Sequence, residues 1–159
     1  MTFNDIDGIK KAGFKGFKSM KELFQDSSML PDSNGVYLVL HLDTKEPEFL
    51  TVGTGGHFKG KNPNVSLAAL KSNWVNNTII VNIGKATSLK SRLRQYFSFG
   101  QGQNIGHYGG RLIWQLKNSR DLVVCWKVIS INDPREYEAE LIREFVSIYN
   151  KRPFANLNE

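Results

Sequence analysis

Cysteine is nearly absent from this chain of 159 residues: Cys125 is the only one, so no internal disulfide can form and a reducing compartment suits the protein. Histidine is scarce too. The three, at 41, 57 and 107, are too scattered to build a Cys/His zinc cluster with Cys125. No uncharged apolar run approaches the ~18 residues of a membrane span, and Lys10 and Lys11 break up any signal-like N-terminus. The expectation is a cytoplasmic globular protein with no membrane partner. Hydrophobic residues make up 40% and charged residues 23%, a balance that excludes a disordered chain. At this length one core can bury roughly two-thirds of the unfolded surface, so neither a disulfide nor a metal staple is required.

Acidic residues are in deficit. Lys and Arg number 21 against 15 Asp and Glu, a formal net charge of +6. Clustered cations are rewarded by counterion release when they meet phosphates, so a polyanion partner is favoured. Charge of this size is also compatible with a basic protein that never touches nucleic acid.

Residues 1–31 read as a basic lead-in dotted with Gly13, Phe14, Gly16 and Phe17, followed by a short helix. Ser19 and Glu22 form a capping box, and Met20, Leu23 and Phe24 give the helix an apolar stripe. Gly35-Val-Tyr-Leu-Val-Leu40 is apolar on both faces, which predicts a central strand covered on two sides. A shorter strand is expected at 49–52, a Gly/Asn/Pro-rich loop at 53–64, a helix at 66–75 and a β-branched strand at 78–83 ended by Gly84. Residues 87–99 read as a helix with Leu89, Leu93, Tyr96 and Phe97 on one face. A glycine-dense loop at 100–110, a short helix at 111–117 and a long strand at 122–131 follow. Asp133-Pro-Arg-Glu136 starts a final helix that runs to about Asn150, and Pro153 forbids its continuation. Strands and helices mixed without strict alternation predict a small sheet with helices packed on it.

Four segments hold candidate chemistry. On a helical wheel the last helix places Tyr137, Leu141, Ile142, Phe145, Val146, Ile148 and Tyr149 within one half, and Glu138 falls near the middle of that apolar arc. A carboxylate facing a core needs a cation: either a buried salt bridge to a nearby Arg or a divalent metal at the floor of a cleft. In the second segment, Gly84 to Tyr96, Arg92 and Tyr96 lie one turn apart. Lys85 is expected at a strand–helix junction, where backbone N–H groups favour an anion, and Lys90 and Arg94 add positive charge. An amphipathic helix with a solvated basic face is the alternative. The third, Gly55-Gly-His-Phe-Lys-Gly60-Lys61, has the spacing of a phosphate-binding loop, but Asn62 replaces the required Ser/Thr and Pro63 follows, so no nucleotide cofactor is expected. The fourth, residues 100–114, sets glycines beside His107 and Arg111, which suit surface contacts to phosphates or bases, while Trp114, Leu112, Ile113 and Leu116 suit the core.

In this order the segments resemble the GIY-YIG endonuclease family. Gly35-Val36-Tyr37 is similar to the first signature, and Asn82-Ile83-Gly84-Lys85-Ala86 to the second, with Arg92 and Tyr96 following at the family's spacing. Residues 82–97 are especially similar to the N-terminal nuclease domain of the incision subunit of bacterial nucleotide-excision repair. Glu138 falls where the family keeps its metal-binding Glu, and Pro153-Phe-Ala-Asn156 resembles the closing Pro-x-x-Asn. Two features depart from the pattern: Asn82 stands where the second signature opens with Tyr, and the interval between the signatures is longer.

The resemblance implies an α+β fold with a small central, mainly antiparallel sheet flanked by helices, spanning residues 32–159 with an added element at about 53–77. It implies metal-dependent hydrolysis of DNA phosphodiesters. Glu138 would anchor one Mg²⁺ or Mn²⁺, Arg92 would hold the scissile phosphate, and Tyr37 would orient or deprotonate the attacking water with cationic help from Lys85. Tyr96 would polarise the water or phosphate, and Asn156 would brace the site. Lys90, Arg94, His107 and Arg111 are the expected nucleic-acid contacts. Two other classes stay open: a catalytically silent DNA-binding or structure-recognising module on the same fold, and a basic scaffold in which Glu138 is only a salt-bridge partner.

Overall fold

The computed structural model describes residues 3–106, 108–130 and 133–157. In chain order the elements are α1 (Ile6–Lys11), β1 (Lys15–Ser19), α2 (Met20–Gln25), β2 (Gly35–Leu40), α3 (Leu67–Asn73), β3 (Ile80–Ala86), α4 (Leu89–Gly100), a 3-10 segment (Tyr108–Gln115), β4 (Val123–Val128) and α5 (Pro134–Tyr149). The fold is α+β, built on one four-stranded sheet in the order β1-β4-β2-β3, with every neighbouring pair antiparallel.

β2 lies inside the sheet and all six of its residues are buried, as its two-faced apolar run predicts. Val36, Leu38 and Leu40 point to one face, where they join Leu141, Ile142 and Phe145 of α5 and Ile9 of α1. Tyr37 and Val39 point to the other, where Leu89, Leu93, Tyr96 and Phe97 of α4 and Leu112, Ile113 and Trp114 of the 3-10 segment cover them. The period-2 alternation of a strand thus supplies two cores from one run of residues.

Local signals fix several boundaries. Ser19 and Glu22 make the expected capping box for α2. Asp133 caps α5, Pro134 occupies its first turn, and Asn150 closes it in the left-handed conformation (φ 60°).

Other expectations need correction. No strand forms at 49–52; Phe49 makes a single antiparallel bridge to Leu116. Gly84 does not end its strand, because β3 continues through Ala86. Of residues 111–117, only 111–115 are helical, and they belong to a tighter 3-10 segment that begins at Tyr108. The strand after it stops at Val128. The apolar arc of α5 is narrower than its wheel suggests, since Val146 and Ile148 are exposed. The lead-in contributes α1 and the edge strand β1, neither of which its Gly/Phe composition signals.

One buried side chain ties together two parts of the interval between β2 and β3. Gln115 is 1% exposed. Its Oε1 accepts from the Val65 amide at 2.9 Å, and its Nε2 donates to Val65 O at 3.0 Å and Leu50 O at 3.1 Å. Gln115→Leu should therefore lower unfolding free energy by about 1–3 kcal/mol, because buried backbone groups lose their partner. Denaturant titration measures the loss, and hydrogen exchange at the Val65 amide should accelerate in the same variant.

Candidate active site

β3 is an edge strand, and the segment after α5 runs back along it. Ala155 N donates to Val81 O at 2.8 Å. The Asn156 side chain then pairs with Ile83 twice: Oδ1 accepts from the Ile83 amide at 2.8 Å, and Nδ2 donates to the Ile83 carbonyl at 2.7 Å. Beyond this point the edge opens into a cavity of about 220 Å³, lined by Tyr37, Gly84, Lys85, Arg92, Glu138 and Asn156, with Asn82, Gly109, Gly110 and Leu157 beside them.

Gly84 is what lets the two faces of the sheet meet there. It pairs directly across from Tyr37. The Tyr37 ring lies over it, so close that a β-carbon on Gly84 would overlap the ring and its hydroxyl. Tyr37 comes from the α4 face, whereas Lys85 on the next residue points to the α5 face, toward Glu138.

Lys85 Nζ is 3.6 Å from Glu138 Oε1, with side-chain exposures of 44% and 17%. That separation is longer than a charge-assisted hydrogen bond, so the pair is loose. The buried ion-pair partner anticipated as an arginine is thus this lysine. Lys85 is the penultimate residue of β3, opposite Val36, so it meets the expected strand–helix junction from the strand side, ahead of the Ser88 cap of α4. Burial raises the Glu138 carboxyl above its ordinary range. Lys85 opposes the shift most strongly, with smaller contributions from Arg152 and from Arg135, which lies one turn earlier on α5.

Tyr37 is 2% exposed. Burial pushes its phenol up to about 12, while the Arg92 guanidinium pulls it down and Glu138 pushes it further up. The cation that assists Tyr37 is therefore Arg92, where Lys85 was expected. At neutral pH the phenol keeps its proton and acts as a donor. Arg92 is half-buried, and its Nη1 donates to Gly106 O at 3.1 Å and Gln95 Oε1 at 3.3 Å.

Tyr96 lies behind the cavity and is not part of its lining. Its hydroxyl donates to Gly110 O at 2.7 Å and accepts from Asn82 Nδ2 at 3.0 Å. Burial holds its phenol well above the ordinary value, with Tyr37 adding to the shift. Tyr96 thus anchors Asn82 and the Gly109–Gly110 turn, in place of the expected contact with water or phosphate. Asn82 is 4% exposed and fills the position where the resembling family has Tyr. As parts of the cavity wall, Asn82 and the Gly109–Gly110 pair are not signalled by the sequence. The glycine pair is legible there only as backbone free to approach something closely.

Of the remaining candidates, Lys90 is half-buried and Arg94 exposed on α4, and Arg111 is half-buried on the 3-10 segment. None of the three lines the cavity. His107 lies outside the described residues.

Among the described residues no group of three or more His, Cys, Asp or Glu is placed to share a metal ion. The donor set fits instead a hard cation resting on one carboxylate, Glu138, with its other positions open to water and to phosphate oxygens. Lys85 and Arg92 leave the cavity cationic overall, which suits an anionic ligand.

No protein-family model matches the chain, and no curated protein or solved structure matches it significantly.

Two glycines of the cavity wall should respond unequally to a methyl group. Gly84→Ala should cost about 1–3 kcal/mol by overpacking against Tyr37. Gly109→Ala meets open space and should stay within about 0.5 kcal/mol of the parent. Chemical denaturation of the two variants makes the comparison.

Proposed function

We propose that the protein is a metal-dependent endonuclease that hydrolyses DNA phosphodiester bonds, of the kind its two signatures resemble. The observation that carries this reading is convergence: Tyr37, Lys85, Arg92, Glu138 and Asn156, drawn from β2, β3, α4, α5 and the segment after it, line one cationic cavity. Similarity of local motifs does not require that meeting.

The chemistry follows from the residues. Arg92 offers a charged fork to the non-bridging oxygens of the scissile phosphate and stabilises charge as the phosphorane develops. Protonated Tyr37 donates a hydrogen bond that orients the water or a phosphate oxygen. Glu138 would hold Mg²⁺ or Mn²⁺, which when bound supplies Lewis-acid stabilisation and lowers the pKa of a coordinated water. Lys85 opposes the effect of burial on Glu138 and favours its ionised form. Asn156 and the Tyr96–Asn82–Gly110 chain hold the walls in place. Water attacks phosphorus and gives up a proton to solvent, the bond to the leaving sugar oxygen breaks, and that oxygen takes up a proton from solvent, so one water is consumed overall.

A DNA-binding module without chemistry is the second reading, and one observation favours it: Lys85 already engages Glu138. A cytoplasmic location goes with either reading, through the single buried thiol of Cys125. No helix among the described residues is long and apolar enough to cross a membrane.

Incubation of supercoiled plasmid with Mg²⁺ or Mn²⁺ should produce nicked or linear product. EDTA should abolish it, and Glu138→Ala should slow it about a thousandfold or more, the scale of a missing Lewis acid. Equal cutting by Glu138→Ala would remove the mechanism, and binding without cutting across varied substrates would establish the module.

The pH profile gives a signed check. Glu138 must be ionised to hold the cation, and its pKa is raised, so activity should climb with pH through a value above the ordinary glutamate range. Lys85→Gln removes the main influence that lowers this pKa, so the acid limb should move to higher pH.

A further inference from the structure

Carboxylates are distributed unevenly along the chain. Residues 49–120 contain none of the 15 Asp and Glu but ten Lys and Arg, so this stretch carries +10 while the rest of the chain sums to −4. It comprises the long interval before β3, then β3, α4 and the 3-10 segment. Contacts to carboxylates from the flanks include Ser88 to Asp32 at 2.6 Å, Lys117 to Glu48 at 3.1 Å and Lys85 to Glu138.

Within this stretch, residues 53–64 fold onto the end of α4 and the loop that follows it. Gly56 N donates to Phe99 O at 2.9 Å, and Lys59 N donates to Asn104 Oδ1 at 3.1 Å. The Phe58 ring packs over Gly106, 3.3 Å from where its β-carbon would sit. The Gly106 carbonyl in turn accepts from Arg92. A continuous line of contacts therefore joins the tip of the segment to the guanidinium of the cavity.

His57, Lys59 and Lys61 are exposed at that tip. Lys59 Nζ sits 5.3 Å from the centroid of the Phe58 ring. Lys59 also occupies the left-handed region, with φ 54°. A side chain is strained there and glycine would be more stable, so a lysine at this position needs a reason other than folding.

We propose that Lys59 and Lys61 grip the backbone of the DNA strand beside the phosphate held at Arg92, making residues 53–64 a substrate-holding arm of the cavity. This rests on the DNA-directed reading of that cavity. A carboxylate-free arm meets the phosphate backbone without like-charge repulsion, and each contact to a phosphate displaces a condensed counterion.

The test is anisotropy titration of a labelled DNA duplex at several salt concentrations, with the full chain in EDTA. Lys59→Gln/Lys61→Gln should flatten the dependence of log affinity on log salt by about 0.9 for each phosphate that is no longer neutralised. Lys11→Gln/Lys15→Gln removes equal charge from exposed positions outside the stretch and should leave the slope unchanged. Lys59→Gly should weaken binding while raising the thermal midpoint, a combination that general damage to the fold would not give. Equal slopes for the two double variants would overturn the proposal, because net charge alone would then account for binding. An unchanged slope at the tip, with DNA still bound and cut by the parent protein, would overturn the arm and leave the cavity standing. Absence of any salt-dependent DNA binding by the parent protein would overturn both.

Discussion

A carboxylate withdrawn from water has to be compensated by its surroundings, and much of the architecture around the cavity can be read as doing so for Glu138. Its own helix offers apolar neighbours, Leu141 and Ile142 among them, and the main compensation comes from another element. Lys85 reaches it from β3, while Arg152 and Arg135, the latter one turn earlier on α5, lower its proton affinity to a smaller degree. The lysine arrives only because β3 continues past Gly84, so strand length and electrostatics are coupled. Had the strand ended at the glycine, Lys85 would no longer be held by its pairing opposite Val36.

The same strand joins the two faces of the sheet. Alternation sends Asn82 toward Tyr96 and Lys85 toward Glu138, and Gly84 between them presents no side chain at all. Tyr37 uses that vacancy. Its phenol is raised by burial, which outweighs the opposing pull of Arg92 on α4, so the proton stays on the ring. Asn82 is consistent with this arrangement. Its amide donates to the Tyr96 hydroxyl from inside the wall, so the departure at this position is met by local hydrogen bonding.

What could be read from the chain alone was whatever depends on near neighbours in sequence. The capping box at Ser19, the Asp133-Pro134 start of α5 and the two-faced run of β2 are all short-range, and each appears where expected. The inward Glu138 was also legible, since helical periodicity spans only a few residues. Its partner was not, because a contact between residues 85 and 138 depends on tertiary register. β1 was illegible for a related reason. Phe17 adopts a positive φ beside Gly16, and the strand exists through its pairing with β4, more than 100 residues away. The missing strand at 49–52 is the converse case. β-branched and aromatic residues suggested pairing, but the structure supplies only the bridge at Leu116 and uses the Gln115 amide to hold neighbouring carbonyls.

The stitching of residues 155–156 onto β3 has a consequence for how the molecule meets copies of itself. A bare outer strand is a template for adding another chain through main-chain hydrogen bonds. Here the Asn156 amide and the Ala155 N–H occupy that template at Val81 and Ile83. At the opposite border, β1 is short, irregular between Gly16 and Lys18, and carries both Lys15 and Lys18. With both margins blunted, ribbon-like self-association by strand addition is disfavoured.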